Sequence, residues 1–182
     1  MSNVLYISYH DSKPIYMACG QQLMESIENV GITDYYIERV SGTSWDFGQA
    51  CAYKPAFVLR CLEEYQEYDR VIYLDSDSVV MEYPYLFENI PDAYDIGVHY
   101  REGQELLGGA IYLKNHLVTR DLVADWEYRC REDLRTWDQR HLQNILESRP
   151  DINVYHLPPE YCQIFDLIHH LHLYIYNQNL QS

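Results

Sequence analysis

The sequence predicts a single α/β domain whose mostly parallel central sheet is flanked by helices, and three observations carry that expectation. Short apolar runs rich in β-branched and aromatic residues alternate with segments whose apolar residues recur at helical spacing, the order that right-handed βαβ crossovers produce. The 182 residues fall within the roughly 100–200 typical of one domain, and a hydrophobic content of 47% supplies the apolar mass for a core. No internal repeat, low-complexity tract or separating linker interrupts the pattern.

The elements follow in order. Val4-Leu5-Tyr6-Ile7 reads as a first buried strand, ended by the turn chemistry of Asp11-Ser12-Lys13-Pro14. From Tyr16, the residues Met17, Leu23, Met24, Ile27 and Val30 fall near helical spacing, with Gly31 where a C-terminal cap belongs. Tyr35 to Val40 makes a second strand, followed by an irregular loop from Ser41 to Tyr53 with Gly42, Thr43, Ser44 and Gly48. A second helix is expected to open near Lys54, presenting Phe57, Val58, Cys61, Leu62 and Tyr65 on one face. Val71-Ile72-Tyr73-Leu74 is the clearest strand. Two more strands, Asp95 to Tyr100 and Ala110 to Lys114, are expected on either side of a polar stretch containing Gly103, Gly108 and Gly109. A third helix carries Leu117, Leu122, Val123, Trp126 and Cys130; a fourth opens near Asp138 with Leu142, Ile145 and Leu146; Val154-Tyr155 forms a last short strand.

Charge excludes some functions. Thirteen Lys and Arg stand against twenty-eight Asp and Glu, a net charge of −15, so the surface as a whole repels phosphate backbones and anionic lipid, and no generic nucleic-acid binding is expected. No basic, then apolar, N-terminal leader and no membrane-spanning run is evident, which predicts a soluble, unsecreted, cytoplasmic protein. Five cysteines, Cys19, Cys51, Cys61, Cys130 and Cys162, form no C-x-x-C pair and are expected to be reduced and mostly buried. Nineteen tyrosines suit half-buried positions and a stacking surface.

Chemistry concentrates where the clearest strand ends in Asp75-Ser76-Asp77. In extended backbone, residues two apart share a side, so both carboxylates reach one point just past the strand. Two like charges there favour a neutralising cation, and carboxylate oxygens suit a hard divalent ion, Mg²⁺ or Mn²⁺, which would bridge them to a diphosphate. The alternative is that the pair starts a turn and caps backbone amides.

At this point the sequence resembles the GT-A-fold nucleotide-diphosphosugar transferases, which carry a D-x-D at the end of a central strand. Lys54-Pro55-Ala56-Phe57 before Val71-Ile72-Tyr73-Leu74-Asp75-Ser76-Asp77 is similar to their order of helix, apolar strand and D-x-D, with Tyr83-Pro84 and Leu86-Phe87 as the sequel. Leu107-Gly108-Gly109-Ala110-Ile111-Tyr112-Leu113-Lys114-Asn115 resembles the small-residue strand lining the sugar pocket, Trp137-Asp138-Gln139 with Leu142 the "DQ" helix start, and Leu157-Pro158-Pro159-Glu160-Tyr161-Cys162 the segment closing the catalytic face. The resemblance implies one GT-A-like domain over residues 1–182, with 1–80 as the nucleotide-binding half and 81–182 as the sugar and acceptor half. It also implies a metal-dependent glycosyltransferase taking its sugar from a nucleotide diphosphate sugar, first a UDP-sugar. Asp77 would be the principal metal ligand, with Asp75 meeting the metal or the nucleotide ribose. His169, His170 and His172 are candidates for a further ligand, His170 and His172 ahead of His169, although the interleaved Leu167, Ile168, Leu171 and Leu173 fit solvated histidines on an edge equally well.

Several residues carry two readings. Lys54, at the expected helix start, either meets the diphosphate together with the helix N-terminus or is simply solvated. Asp138 and Gln139 are the catalytic candidates, and an N-cap is the plainer role for Asp138. Gly108 and Gly109 either allow a ligand close to the backbone or permit a tight turn. Tyr53 and Trp45 either stack on a nucleobase or fill core volume. The acceptor, the oligomeric state and the choice between retention and inversion are not written in the residues; the small size suggests a small or partner-presented acceptor. Two other functions share the acidic motif. A haloacid-dehalogenase-like phosphatase would use the first Asp as nucleophile, but its motif belongs on an opening strand and here two strands precede it. A non-catalytic nucleotide-sugar-binding protein is the other.

Overall fold

A computed structural model describes residues 3–41 and 47–162 of the chain. Strand β1 (Val4–Asp11) leads through helix α1 (Pro14–Asn29) to β2 (Tyr35–Val40), and α2 (Phe47–Glu64) returns the chain to β3 (Arg70–Leu74). A short helix α3 (Tyr85–Asn89) precedes the hairpin of β4 (Ile96–Arg101) and β5 (Glu105–Lys114); α4 (Leu117–Glu132), α5 (Asp138–Ser148) and β6 (Val154–His156) follow, with a 3₁₀ turn at Pro159–Tyr161. The six strands form one sheet in the order β2-β1-β3-β5-β4-β6. Only β5 runs against the others, because it pairs antiparallel with both β3 and β4 while the remaining pairs are parallel. The mostly parallel α/β sheet expected from the sequence is the sheet observed.

Strand parity divides the interior into two cores. Leu5 and Ile7 of β1 and Val71 and Tyr73 of β3 face Phe57, Val58, Cys61 and Leu62 of α2, Trp126 of α4 and Leu142 of α5. Val4 and Tyr6 of β1 and Ile72 and Leu74 of β3 face Leu23 and Ile27 of α1 and Phe87 of α3. Both faces of these strands are covered, so they read as continuous apolar runs instead of alternating ones. Asp75, next in parity after Val71 and Tyr73, therefore lies on the α2, α4 and α5 side.

Three local expectations differ from the structure. Helix α2 begins at Phe47, not near Lys54, and carries Pro55 inside it. Pro is compatible with a first turn, which is where the sequence places it, and costly in an interior. The extra turns are held by tertiary packing: a Cβ on Gly48 would lie 2.3 Å from the Leu134 carbonyl, and Ala52 and Tyr53 pack on the core. Strand β5 starts at Glu105, so Gly108 and Gly109 lie within a strand and not in a connecting stretch; the chain reverses before it, at Glu102 and Gly103, which both have positive φ. The five-residue helix α3 was not expected. Of the cysteines, Cys61 and Cys130 are buried and Cys19, Cys51 and Cys162 half-buried, all free. Among the described residues no helix is long and apolar enough to cross a membrane.

Burial sets an alkaline limit on this fold. Desolvation is the largest cause holding the phenols of Tyr6, Tyr9, Tyr73 and Tyr112 above their ordinary pKa, and Tyr36 is pushed up to about 12. Below pH about 10 the folded and unfolded chains are equally protonated at these groups; above it the unfolded chain releases protons that the folded chain keeps, so stability falls as pH rises. The tyrosinate absorbance of the buried rings is expected to appear only together with loss of the circular dichroism signal. Reversible ionisation of every tyrosine near pH 10 in folded protein would contradict this.

Candidate functional site

β1 sends one crossover to β2 on one side and pairs with β3 on the other, and at such a switch point an open α/β sheet leaves a crevice beyond the carboxyl ends of its strands. Tyr9 lies towards the carboxyl end of β1 there and Asp75 follows β3. The crevice floor is a charge cluster from four elements. The Lys54 ammonium, on α2, lies 2.9 Å from Asp75 Oδ1, 3.1 Å from Asp138 Oδ2 of α5, and 3.3 Å from the Gly108 carbonyl of β5, to which it donates. It also lies over the Tyr73 ring, 5.2 Å from the centroid. Burial alone would push the Lys54 pKa down, but the carboxylates of Asp75 and Asp138 outweigh it and hold the pKa well above the ordinary value. Lys54 is thus a permanent buried cation. The expected helix N-terminus plays no part, because Lys54 lies inside α2; its partners are side chains.

Tertiary contacts orient each member. The Tyr73 hydroxyl donates to Asp75 Oδ1 at 2.8 Å, the Asp75 N–H donates to the Gly109 carbonyl at 2.9 Å, and the Ser78 N–H closes a turn on the Asp75 carbonyl at 3.0 Å. The strand stops at Leu74, so Asp75 and Asp77 are related by this turn and not by the pleat of an extended strand; Asp75 is half-buried against Lys54 and Asp77 is exposed. Asp138 is the first residue of α5, only 8% exposed, and makes no N-cap: the cap position is Trp137, which has no side-chain cap bond. Buried Trp126 fixes this turn by donating its indole N–H to the Asp138 carbonyl at 2.8 Å. Asp138 Oδ2 meets Lys54 at ion-pair distance without hydrogen-bond alignment, and among the described residues it has no hydrogen-bond partner.

The two glycines make room. A Cβ on Gly108 would lie 3.3 Å from Gln139 Cβ and 3.6 Å from the Lys54 ammonium; one on Gly109 would lie 3.3 Å from Cys162 Sγ and 3.6 Å from Asp75 Oδ2. Gln139 accepts from the Gly108 N–H at 3.4 Å and donates to Glu105 at 3.5 Å, forming the wall between the cluster and an open cleft of about 380 Å³ that Trp137, Arg140 and Gln143 also line. Burial raises the thiol pKa of Cys51 and Cys162, which border the cluster, so both stay protonated.

Lys54, Asp75, Gly108, Gly109, Asp138 and Gln139 are therefore brought together. Tyr53 is turned elsewhere: its hydroxyl donates to Glu38 at 2.7 Å and its ring stacks on Phe57, though it also touches Tyr9 edge-on. Trp45, His169, His170 and His172 lie outside the described residues. Among those described, no group of three or more His, Cys, Asp or Glu side chains forms a metal cage. The donor set still fits a hard divalent ion shared with a ligand: both protein contacts to Asp75 fall on Oδ1, leaving Oδ2 towards Gly109, and the exposed Asp77 follows two residues later. Sequence reasoning missed Tyr73, Cys51 and Trp126, whereas Cys162 belongs to the segment that the resemblance has closing the catalytic face. For Tyr73 the signal was present, since a strand residue two before Asp75 shares its side.

Removing Lys54 tests the cluster. Lys54→Met strands two facing carboxylates, at an expected cost of about 2–4 kcal/mol, below the roughly 3–5 for breaking a fully buried pair because the Asp75 side chain is 35% exposed. Without the ammonium the two carboxylates repel each other when both are charged, so part of the loss should be recovered in mild acid. Thermal melts of parent and variant across pH measure both effects.

Similar folds are known. A glycosyltransferase involved in glycosylation of the major capsid of PBCV-1 superposes with a TM-score of 0.69 at 12% identity, over 86% of this chain and 82% of that one. The glycosyltransferase GlyE of Streptococcus pneumoniae gives 0.59 at 16% identity over 89% of this chain, which spans 47% of GlyE. The galactosyltransferase LgtC, solved in complex with donor and acceptor sugar analogs, gives 0.51 at 14% identity over 85% of this chain and 73% of LgtC. No family model and no curated protein matches the sequence. The fold is of the GT-A type that the resemblance implied, and the phosphatase reading gains no support from these neighbours.

Proposed function

We propose that the protein is a metal-dependent glycosyltransferase that moves a sugar from a nucleotide diphosphate sugar, UDP-linked in the first instance, to an acceptor not identified by its residues. The observation that carries this reading is the Lys54, Asp75 and Asp138 cluster beneath Gly108 and Gly109, at the switch point of a GT-A-type sheet. Glycosyltransferases of known structure share this architecture at low identity, and supply the class of reaction but not the substrate.

Each described residue has a role that its geometry permits, and His170 and His172 enter through the resemblance alone. Asp77 and the free oxygen of Asp75 hold Mn²⁺ or Mg²⁺, with an imidazole of His170 or His172 as a further ligand. When bound, the ion acts as a Lewis acid that offsets charge developing on the leaving diphosphate. Lys54 adds a fixed positive charge at the crevice floor and holds the Asp75 and Asp138 carboxylates in place. Asp138 Oδ2, buried and lacking an aligned donor, accepts a hydrogen bond from a hydroxyl of the transferred sugar in addition to its ion pair with Lys54. Gly108 and Gly109 let that sugar approach the backbone of β5, and the Gln139 amide stands at the acceptor side of the same wall.

Two variants test these assignments. Asp77→Ala is expected to abolish Mn²⁺-dependent UDP binding in calorimetry while the melting temperature stays near that of the parent, because the residue is exposed beyond the core strand. Asp138→Asn keeps the size of the side chain and should cut transfer roughly a hundredfold or more with intact nucleotide binding. Parent-like UDP affinity with unchanged Mn²⁺ dependence in Asp77→Ala sinks the metal assignment. A screen of nucleotide sugars for Mn²⁺-dependent hydrolysis separates an enzyme from a binder: nucleotide binding with no turnover of any donor would leave the non-catalytic reading.

A further inference from the structure

We propose that Tyr73 is a positioning residue whose hydroxyl commits one oxygen of Asp75 to the protein interior, so that the other oxygen alone is presented to a ligand through the gap that Gly109 leaves in β5. The inference rests on the reading of Asp75 as a ligand-binding carboxylate given above. A carboxylate on one rotatable bond offers two equivalent oxygens and can exchange them. Here Oδ1 receives two donors, the Tyr73 hydroxyl at 2.8 Å and the Lys54 ammonium at 2.9 Å. The backbone of Asp75 is held as well, by the Gly109 carbonyl at its N–H and by the Ser78 N–H at its carbonyl. What is left is Oδ2, 3.6 Å from where a Cβ of Gly109 would stand, with Cys162 Sγ on the far side of that position at 3.3 Å. Gly109 is partly open to solvent although Gly108 and Ala110 on either side are buried, so the opening is local to this one residue.

Tyr73 can hold this geometry because it cannot move. Its side chain is 1% exposed, its ring packs edge-on against Phe57 and tilted against Tyr9, and the Lys54 ammonium lies over it. A hydrogen-bonding partner behind a ligating carboxylate fixes its orientation before the ligand arrives, and losing such a partner typically weakens metal affinity about 10–100-fold. Lys54 alone cannot substitute, since its three nearest oxygens are spread over Asp75, Asp138 and Gly108.

The test is the affinity of the full chain for Mn²⁺ with UDP present, followed by the electron paramagnetic resonance signal of the free ion well below the melting temperature. Tyr73→Phe keeps the ring and removes only the hydroxyl, and is expected to bind Mn²⁺ roughly 10–100-fold more weakly. Tyr112→Phe removes a buried hydroxyl from the other core, across the sheet from the Tyr73 ring, and should bind like the parent. Gly109→Ala closes the opening with Tyr73 intact and should also weaken binding; it decides the matter should Tyr73→Phe fold poorly. Parent-like affinity in Tyr73→Phe and Gly109→Ala, with affinity lost in Asp75→Asn, overturns the proposal and leaves the functional reading intact. Parent-like affinity in Asp75→Asn overturns both.

Discussion

The structure around the crevice depends on one constraint, the burial of a lysine ammonium. Taking Lys54 out of water carries a penalty of several kcal/mol, and the chain offsets it only by bringing oxygen atoms to the charge. Those oxygens come from the end of β3, the first turn of α5 and the backbone of β5, so three elements distant in sequence must converge on one point of α2. The demand propagates outwards: Gly108 must lack a side chain for α5 to approach, and Trp126 must reach the Asp138 carbonyl to hold the first turn of that helix in place.

The same convergence explains why a single strand runs backwards. A wholly parallel sheet would require a crossover before β5, whereas the β4–β5 hairpin inserts β5 beside β3 directly and lays Gly109 against Asp75. The first half of the chain supplies the cation and the acidic turn; the second half supplies the wall, the Gln139 amide and the second buried carboxylate. The cluster is thus also a seam between the two halves. A buried charge cluster and a structural joint coincide, and a carboxylate oxygen without an aligned hydrogen bond is tolerated at Asp138 because the Lys54 ammonium faces it at 3.1 Å.

Local rules succeeded where local forces dominate. The apolar runs of β1 and β3 and the helical spacing of α1, α4 and α5 name their elements because each run buries its own side chains whatever its neighbours do. They failed where a distant partner decides. Pro55 marks a helix start by its own stereochemistry, yet α2 extends two turns further back because Gly48 fits against Leu134. Gly108 and Gly109 read as breakers, yet they sit in a strand because ladder bonds to β3 and the missing Cβ atoms serve the site. Asp138 reads as a cap, yet its carboxylate turns inwards to Lys54.

What the sequence by itself determined is the alternation of strands and helices, the acidic pair at the end of the clearest strand, and the set of residues from which a site could be drawn, since composition and periodicity are properties of the chain alone. Only the tertiary structure decided how those residues divide their work. Whether Lys54 is solvated or buried, whether Asp75 and Asp77 share a pleat or a turn, and which oxygen of Asp75 is spent inside depend on charges brought together across as many as 84 positions, from Lys54 to Asp138. Coulomb forces and desolvation act on distance in space, and that distance exists only once the sheet has formed.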